Sequence, residues 1–104
     1  ALDDPPTAFL VSSIITALGV RRALEEVGLR PGRDVSIVTH DDDLSYLQNR
    51  GDVPMFTATR SSVRDAGRHA AAMLIEMVEN PDAGLSQRLL EAELILGQST
   101  GPRP

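Results

Sequence analysis

Two short apolar runs, separated by one helical pattern, constrain the fold of this chain most strongly. Residues 7–11 read TAFLV and residues 35–39 read VSIVT, and short, largely apolar runs are typical of strands covered on both faces. Between them lies a helical pattern over residues 14–27, which ends before Gly28. Its apolar positions share one face: Ile14, Ala17, Leu18, Leu24 and Val27. A connection of about two dozen residues favours parallel strands joined by a right-handed crossover.

The second half of the chain predicts two further strands and a longer helix. A short helix is predicted over residues 44–49 and an extended segment over 55–59. A helix capped by Ser61 or Ser62 follows over residues 63–78, and a last strand occupies residues 88–96. The apolar stripe of the longer helix consists of Val63, Ala66, Ala70, Met73, Leu74 and Met77.

The fold class predicted from this order is α/β, with a parallel sheet, flanking helices and the sequence β-α-β-(short α)-β-α-β. Three or four strands make a thin sheet, and two long helices do not cover both of its faces. The chain therefore reads as part of a larger structure.

Composition argues against several classes of function. The 104 residues carry 10 basic against 15 acidic side chains, a formal net charge of -5, which suits direct contact with a phosphate backbone poorly. The chain has no cysteine, so neither disulfides nor thiol chemistry are available to it. The longest apolar run is too short to cross a bilayer, and no membrane partner is expected.

The segment HDDD, residues 40–43, follows the second predicted strand directly. Two readings stay open at this point: the carboxylates solvate a loop, or the first of them lies where open α/β sheets bind ligands, at the carboxyl end of a strand. The sequence contains no P-loop, no G-x-S-x-G elbow, no G-x-G-x-x-G and no metal-ligand spacing. We therefore expect no catalytic residues, no metal site and no cofactor.

Several short motifs fall at spacings found together in one family. They are Pro6-Thr7-Ala8, Ala17-Leu18-Gly19, Arg22-Ala23-Leu24, Gly28-Leu29, Asp34-Val35-Ser36, Asp41-Asp42, Thr57 with Arg60, Gly67-Arg68, Glu93-Leu94-Ile95-Leu96 and Ser99-Thr100. Together they resemble the C-terminal part of the effector-binding domain of LacI/GalR transcriptional regulators. The chain departs from the family pattern in three places: Ser13-Ile14 replaces an Asn-Asp pair, Thr39-His40 replaces Gly-aromatic, and Gly97 replaces an arginine.

The resemblance implies a type I periplasmic-binding-protein-like effector domain. Residues from about 1 to 56 would belong to its C-terminal subdomain, residues from about 60 to 83 would supply a helix of the N-terminal subdomain, and residues from about 87 to 100 would form a returning strand. The implied function is that of a cytoplasmic homodimeric regulator. Its small-molecule effector, a sugar or related polar metabolite, would control operator binding by a helix-turn-helix outside this chain.

Two alternatives remain at this stage. One is a fragment of a periplasmic solute-binding protein of an ABC transporter, whose fold is similar. The other is a small enzyme of flavodoxin-like topology. An upstream helix-turn-helix would support the regulator, and an upstream signal peptide would support the transporter component.

The resemblance also implies site residues. The carboxylate of Asp41 would accept hydrogen bonds from the effector, whereas Asp42 and Asp43 would cap the following turn or face water. Ser13, Ser61 and Val63 would line the same cleft. The implied dimer interface contains Leu18, Arg21, Arg22 and Tyr46, although helical periodicity alone also fits a core position for Leu18. Ser13 is in addition a candidate N-cap of the first helix.

Overall fold

The computed structural model describes residues 2–43 and 48–104. Its elements are β1 (Ala8–Val11), α1 (Ile14–Glu26), β2 (Ser36–Asp41), β3 (Thr57–Arg60), α2 (Val63–Glu79) and β4 (Glu93–Ile95). This order confirms the predicted α/β class. Of the short helix predicted over residues 44–49, residues 44–47 lie outside the described residues, and residues 48–49 are not helical.

The four strands form one sheet in the order β1-β2-β3-β4. β1 and β2 are adjacent and parallel, with Phe9 opposite Ile37, and α1 connects them as predicted. β2 and β3 are also parallel, and Asp41 lies opposite Arg60.

β4 departs from the predicted parallel sheet because it pairs with β3 in the antiparallel direction. Among the described residues, α2 contacts no other helix or strand, so it does not carry the chain back over the sheet as a crossover helix does. The chain therefore re-enters the sheet in the opposite direction. Only residues 93–95 of the predicted strand 88–96 are paired.

The core lies on one side of the sheet, under α1. Its buried members are Val11, Ile14, Ala17, Ile37 and Phe56. The other side is open within the described residues, since Leu10, which points away from α1, is 87% exposed. The prediction that apolar strands are covered on both faces therefore holds for one face only in this structure.

Both long helices begin at a serine cap. The Ser13 hydroxyl accepts a hydrogen bond from the backbone N–H of Thr16, which confirms its predicted N-cap role, and Ser62 does the same for Asp65 at the start of α2. At the other end of α1, Gly28 has a φ of 81°, the left-handed conformation that commonly ends helices. Val27 is the C-cap residue and is 72% exposed, so it does not belong to the buried face that the sequence predicted.

The helix α2 and the segment that follows it form an arm outside the core, called here the α2 arm (residues 63–92). No residue of α2 is buried. The returning segment runs alongside the helix, where the Arg88 guanidinium lies 2.5 Å from His69 Nδ1. The apolar stripe predicted for α2 therefore exists, but in this structure it meets only residues of its own arm.

Residues 97–101 fill the space between the starts of β2 and β3. The Ser99 hydroxyl donates to the Ile37 carbonyl at 2.5 Å and accepts from the Thr57 N–H at 2.9 Å. Gly97 passes so close to Phe56, the residue before β3, that a Cβ would lie 2.4 Å from the Phe56 carbonyl oxygen. Any other residue at position 97, including the arginine of the LacI/GalR pattern, would therefore require the backbone to shift.

Candidate functional site

The carboxyl end of β2 and the amino ends of both long helices meet at one edge of the sheet. A pocket at this edge is lined by Ser12, Ser13, Ile14, Ile15, His40 and Asp42. In open α/β sheets this edge is where ligands bind, because strand ends and helix N-termini direct polar groups towards it. The arrangement therefore offers two serine hydroxyls, an imidazole and a carboxylate beside two isoleucines.

Asp41 is 3% exposed and its carboxylate is engaged within the protein. Its Oδ1 accepts the backbone N–H of Asp43 at 2.9 Å, and its Oδ2 accepts the Nε–H of Arg60 at 3.2 Å. Arg60 also donates to the carbonyl of Asn49 at 2.6 Å. The Asp41 carboxylate thus stabilises the turn that follows β2, and its pairing with Arg60 also links β2 to β3.

The next two aspartates have different surroundings. Asp42 lines the pocket, and its backbone carbonyl accepts the N–H of Val63 at 3.1 Å. Asp43 forms an ion pair with Arg50 at the surface and has a φ of 57°, a conformation that aspartate tolerates better than most residues. In this structure the side chain of Asp41 caps the turn, whereas Asp42 and Asp43, predicted to cap the turn or face water, are both exposed.

His40 lies between two hydroxyl groups. Its Nδ1 is 2.8 Å from the Thr59 Oγ1, and its Nε2 is 3.2 Å from the Ser61 Oγ. Each hydroxyl can donate or accept, so both ring nitrogens are satisfied in either neutral tautomer.

The structure brings the predicted ligand-binding residues to this edge of the sheet, but they do not all line the same pocket. Ser61 and Val63 lie beside the strand end, with the Ser61 N–H donating to the Asp41 carbonyl at 3.1 Å. Ser13 lines the pocket together with His40 and Asp42. The carboxylate of Asp41 pairs with Arg60 instead and does not line this pocket. A ligand role for these four residues stays a prediction.

The comparisons with known proteins decide the family. A family model described as "Periplasmic binding protein-like domain" matches residues 1–100. The chain belongs to this family. It is 45% identical over 100 residues to the HTH-type transcriptional regulator AglR of Rhizobium meliloti (strain 1021), a match that covers 96% of this chain and 28% of that protein.

Two further relatives carry similar names. The HTH-type transcriptional repressor CytR of Escherichia coli (strain K12) is 31% identical over 104 residues, covering 99% of this chain and 29% of the repressor. The HTH-type transcriptional repressor PurR of Haemophilus influenzae (strain PittEE) is 34% identical over 85 residues, covering 82% of this chain and 24% of that repressor. No solved structure matched the chain.

These matches confirm the resemblance to the effector-binding domain of LacI-type regulators. Because the three relatives are named as transcriptional regulators, the solute-binding-protein alternative is not favoured, and the relatives are not enzymes. The chain spans between about a quarter and a third of the length of these relatives. No helix among the described residues is both long and apolar enough to span a membrane.

The predicted interface residues of this family member lie on α1, apart from Tyr46, which is outside the described residues. Leu18 is half-buried and packs against the core, so the core position that periodicity allowed is realised. Arg21 and Arg22 each pair with the glutamate four residues later, at 2.9 Å and 3.0 Å. Their part in a dimer stays a prediction.

Sequence reasoning assigned no ligand contact to three residues that shape the site: His40, Asp42 and Arg60. His40 stood out only as a departure from an aromatic position, and Asp42 was assigned to the turn. Arg60 meets Asp41 because β2 and β3 pair in one particular register. No signal in the sequence fixes that register for strands separated by a long loop.

Proposed function

We propose that this chain is the effector-sensing and dimer-forming part of a LacI-type regulator, with DNA binding supplied by a helix-turn-helix outside the chain. The observation that carries the proposal is the pocket formed by Ser13, His40 and Asp42 at the carboxyl edge of the sheet. The chain that contains it belongs to the periplasmic binding protein-like family, and its relative AglR is named as a transcriptional regulator. The net charge of -5 agrees with DNA contact through another segment.

The proposed effector is a small polar metabolite. A serine hydroxyl, an imidazole and a carboxylate suit a ligand that carries hydroxyl or amine groups. Ile14 takes a position where LacI-type regulators have an aspartate, so this pocket is less polar than the sugar sites of the family. Effector binding would favour one arrangement of the domain over another and so alter operator affinity.

We also propose that the chain contributes to two subdomains. Residues up to about 56 would complete the C-terminal one, the helix within residues 60–83 would pack in the N-terminal one, and residues 87–100 would return as a strand. Support comes from the α2 arm, which exposes Leu74, Ile75 and Val78 and therefore leaves a large apolar surface to be covered. The regulator would act as a cytoplasmic homodimer.

The test uses the intact protein. We expect it to bind DNA from the promoter of its own gene in fluorescence anisotropy. We further expect one member of a panel of pentoses, hexoses, disaccharides, nucleosides and purine bases to shift both that affinity and the melting temperature. Asp42→Asn should weaken the ligand-induced shift, whereas Asp82→Asn, in the turn after α2, serves as the matched control. Thermal stabilisation by a panel member without any DNA binding would point instead to a transport component.

A further inference from the structure

The direction of α2 relative to the sheet depends on a short stretch of chain. Among the described residues, α2 contacts no other helix or strand, so its direction depends on residues 60–63, where it leaves the sheet, and on the returning segment that leads into β4. The helix contains 17 residues and is therefore about 25 Å long. A rotation of about 10° at its start moves its far end by about 4 Å.

Two backbone hydrogen bonds hold this stretch against the end of β2. The N–H of Ser61 donates to the Asp41 carbonyl, and the N–H of Val63 donates to the Asp42 carbonyl, both at 3.1 Å. Such bonds need no particular side chain, and they leave the segment free to pivot about the line that joins them.

A side-chain bridge adds a third point of attachment. The imidazole of His40, on β2, reaches Thr59 on β3 through Nδ1 and Ser61 through Nε2. Thr59 precedes and Ser61 follows the last residue of β3, so the ring spans the exit of the chain from the sheet. Phenylalanine at this position has no nitrogen and forms neither hydrogen bond.

We propose that His40 is a positioning residue that fixes the direction of α2 by tethering Ser61 to β2. The imidazole also lines the pocket with Ser13 and Asp42. A ligand group that hydrogen-bonds to the imidazole would have to share or displace the Ser61 hydroxyl, and that exchange would act on α2. The tether follows from the geometry of these residues, whereas its use in an effector response rests on the proposed function.

The test compares variants of the intact protein without ligand or DNA. Spin labels on cysteines introduced at Ala23 of α1 and Ala71 of α2, both exposed, report the distance between α1 and α2 when the labelled protein is diluted into unlabelled protein. We expect a narrow distance distribution in the parent and a broader one in His40→Phe. The Val63 amide should exchange its hydrogen about two- to tenfold faster in that variant, because the hydrogen bond that holds Ser61, which is of ordinary strength, is lost. His69→Phe, which changes the histidine on α2 itself, should match the parent.

Ser61→Ala removes the same bond from its other side and carries the test if His40→Phe does not fold. The double variant should exchange no faster than the more strongly affected single variant, because both changes break one interaction. Unchanged distances and exchange rates in both single variants, or fully additive effects, would overturn the tether.

A last measurement separates this inference from the proposed function. In the absence of ligand, His40→Phe should change the affinity of the intact protein for its own promoter DNA severalfold, while His69→Phe should not. A parent protein that does not bind this DNA contradicts the regulator proposal and leaves the distance measurements to decide on the tether. A parent that binds, with His40→Phe binding equally well, contradicts the role of the tether in regulation.

Discussion

At the scale of single residues, the aspartates of the HDDD segment differ in what surrounds them. The side chain of Asp41 is 5% exposed and pairs with a largely buried Arg60, whereas Asp43 pairs with Arg50 at the surface. Asp41→Asn should lower the free energy of unfolding by about 3 kcal/mol, because it leaves a buried guanidinium without its counter-charge. Asp43→Asn, which keeps a residue tolerant of a positive φ, should lower it by less than about 1 kcal/mol.

Urea denaturation of the intact protein measures both changes. Equal, small losses would show that Asp41 is an ordinary loop carboxylate with no structural role. If an effector is found, calorimetry separates this structural loss from the predicted ligand contact: Asp41→Asn should then weaken binding about tenfold or more, and Asp43→Asn should not.

Ser99 is a second residue whose role depends on contacts far along the chain. Ser99 is 2% exposed, and its hydroxyl satisfies the carbonyl of Ile37 and the N–H of Thr57. Ser99→Ala should therefore lower the free energy of unfolding by about 2 kcal/mol, since two buried backbone groups lose their partner. Ser86→Ala, in the exposed returning segment, is the control. A loss of the same size at Ser86 would show that the effect does not come from the buried hydrogen bonds.

These residues also show how far the sequence predicted the site. Asp41 and Ser13 were identified because their types and spacing belong to a recognisable pattern. The pairing of Asp41 with Arg60 was not, since it joins residues 19 positions apart through a strand register, and a slip of one residue would turn Arg60 to the other face. Spacing fixed which residues lie near the edge of the sheet, and the register fixed which way each side chain points.

At the scale of elements, the helices were predicted more accurately than their surroundings. α1 begins at Ile14 as predicted because Ser13 caps it, and it ends one residue earlier than predicted. The helical pattern of α2 was equally clear, but periodicity alone does not say which partner an apolar stripe meets. The antiparallel direction of β4 was missed because it depends on α2 leaving the sheet rather than covering it, and periodicity does not distinguish these two cases.

The outer face of α1 carries the prediction for this scale. Ile15, Leu18 and Arg22 follow one another at helical spacing along that face, and Ile15 is 70% exposed. If this face forms the dimer interface, Ile15→Glu should raise the dimer dissociation constant of the intact protein about tenfold or more, because a charge replaces a buried apolar contact. Ile15 tests the interface better than Leu18 because Leu18 also packs in the core.

Sedimentation velocity measures the change across a dilution series. Val27→Glu provides the control, because Val27 is equally exposed but lies at the C-terminal cap of the same helix. A dimer that survives Ile15→Glu unchanged, or that is weakened equally by Val27→Glu, would exclude this face as the interface.

At the scale of the whole molecule, the chain is too extended to be a self-sufficient domain. Its radius of gyration is 18.3 Å, against about 13 Å for a compact domain of this length. The α2 arm contributes no buried residue, and the sheet leaves Leu10 uncovered on its second face. The stabilisation available to the isolated chain therefore comes from a small core under α1, while the entropy of ordering the arm is not offset.

We accordingly expect the 104-residue chain, purified alone, to unfold without a sharp transition and to associate as its concentration rises, because exposed apolar faces and open sheet edges promote association. Hydrogen exchange should find the amides of α2 unprotected in the isolated chain and protected in the intact protein, whereas β2 should be protected in both. The comparison of α2 with β2 within one sample is its own control. A monomer that unfolds in one sharp, concentration-independent transition, with α2 protected, would show that the arm is stable without a partner. That result would remove the main support for assigning the α2 arm to a second subdomain.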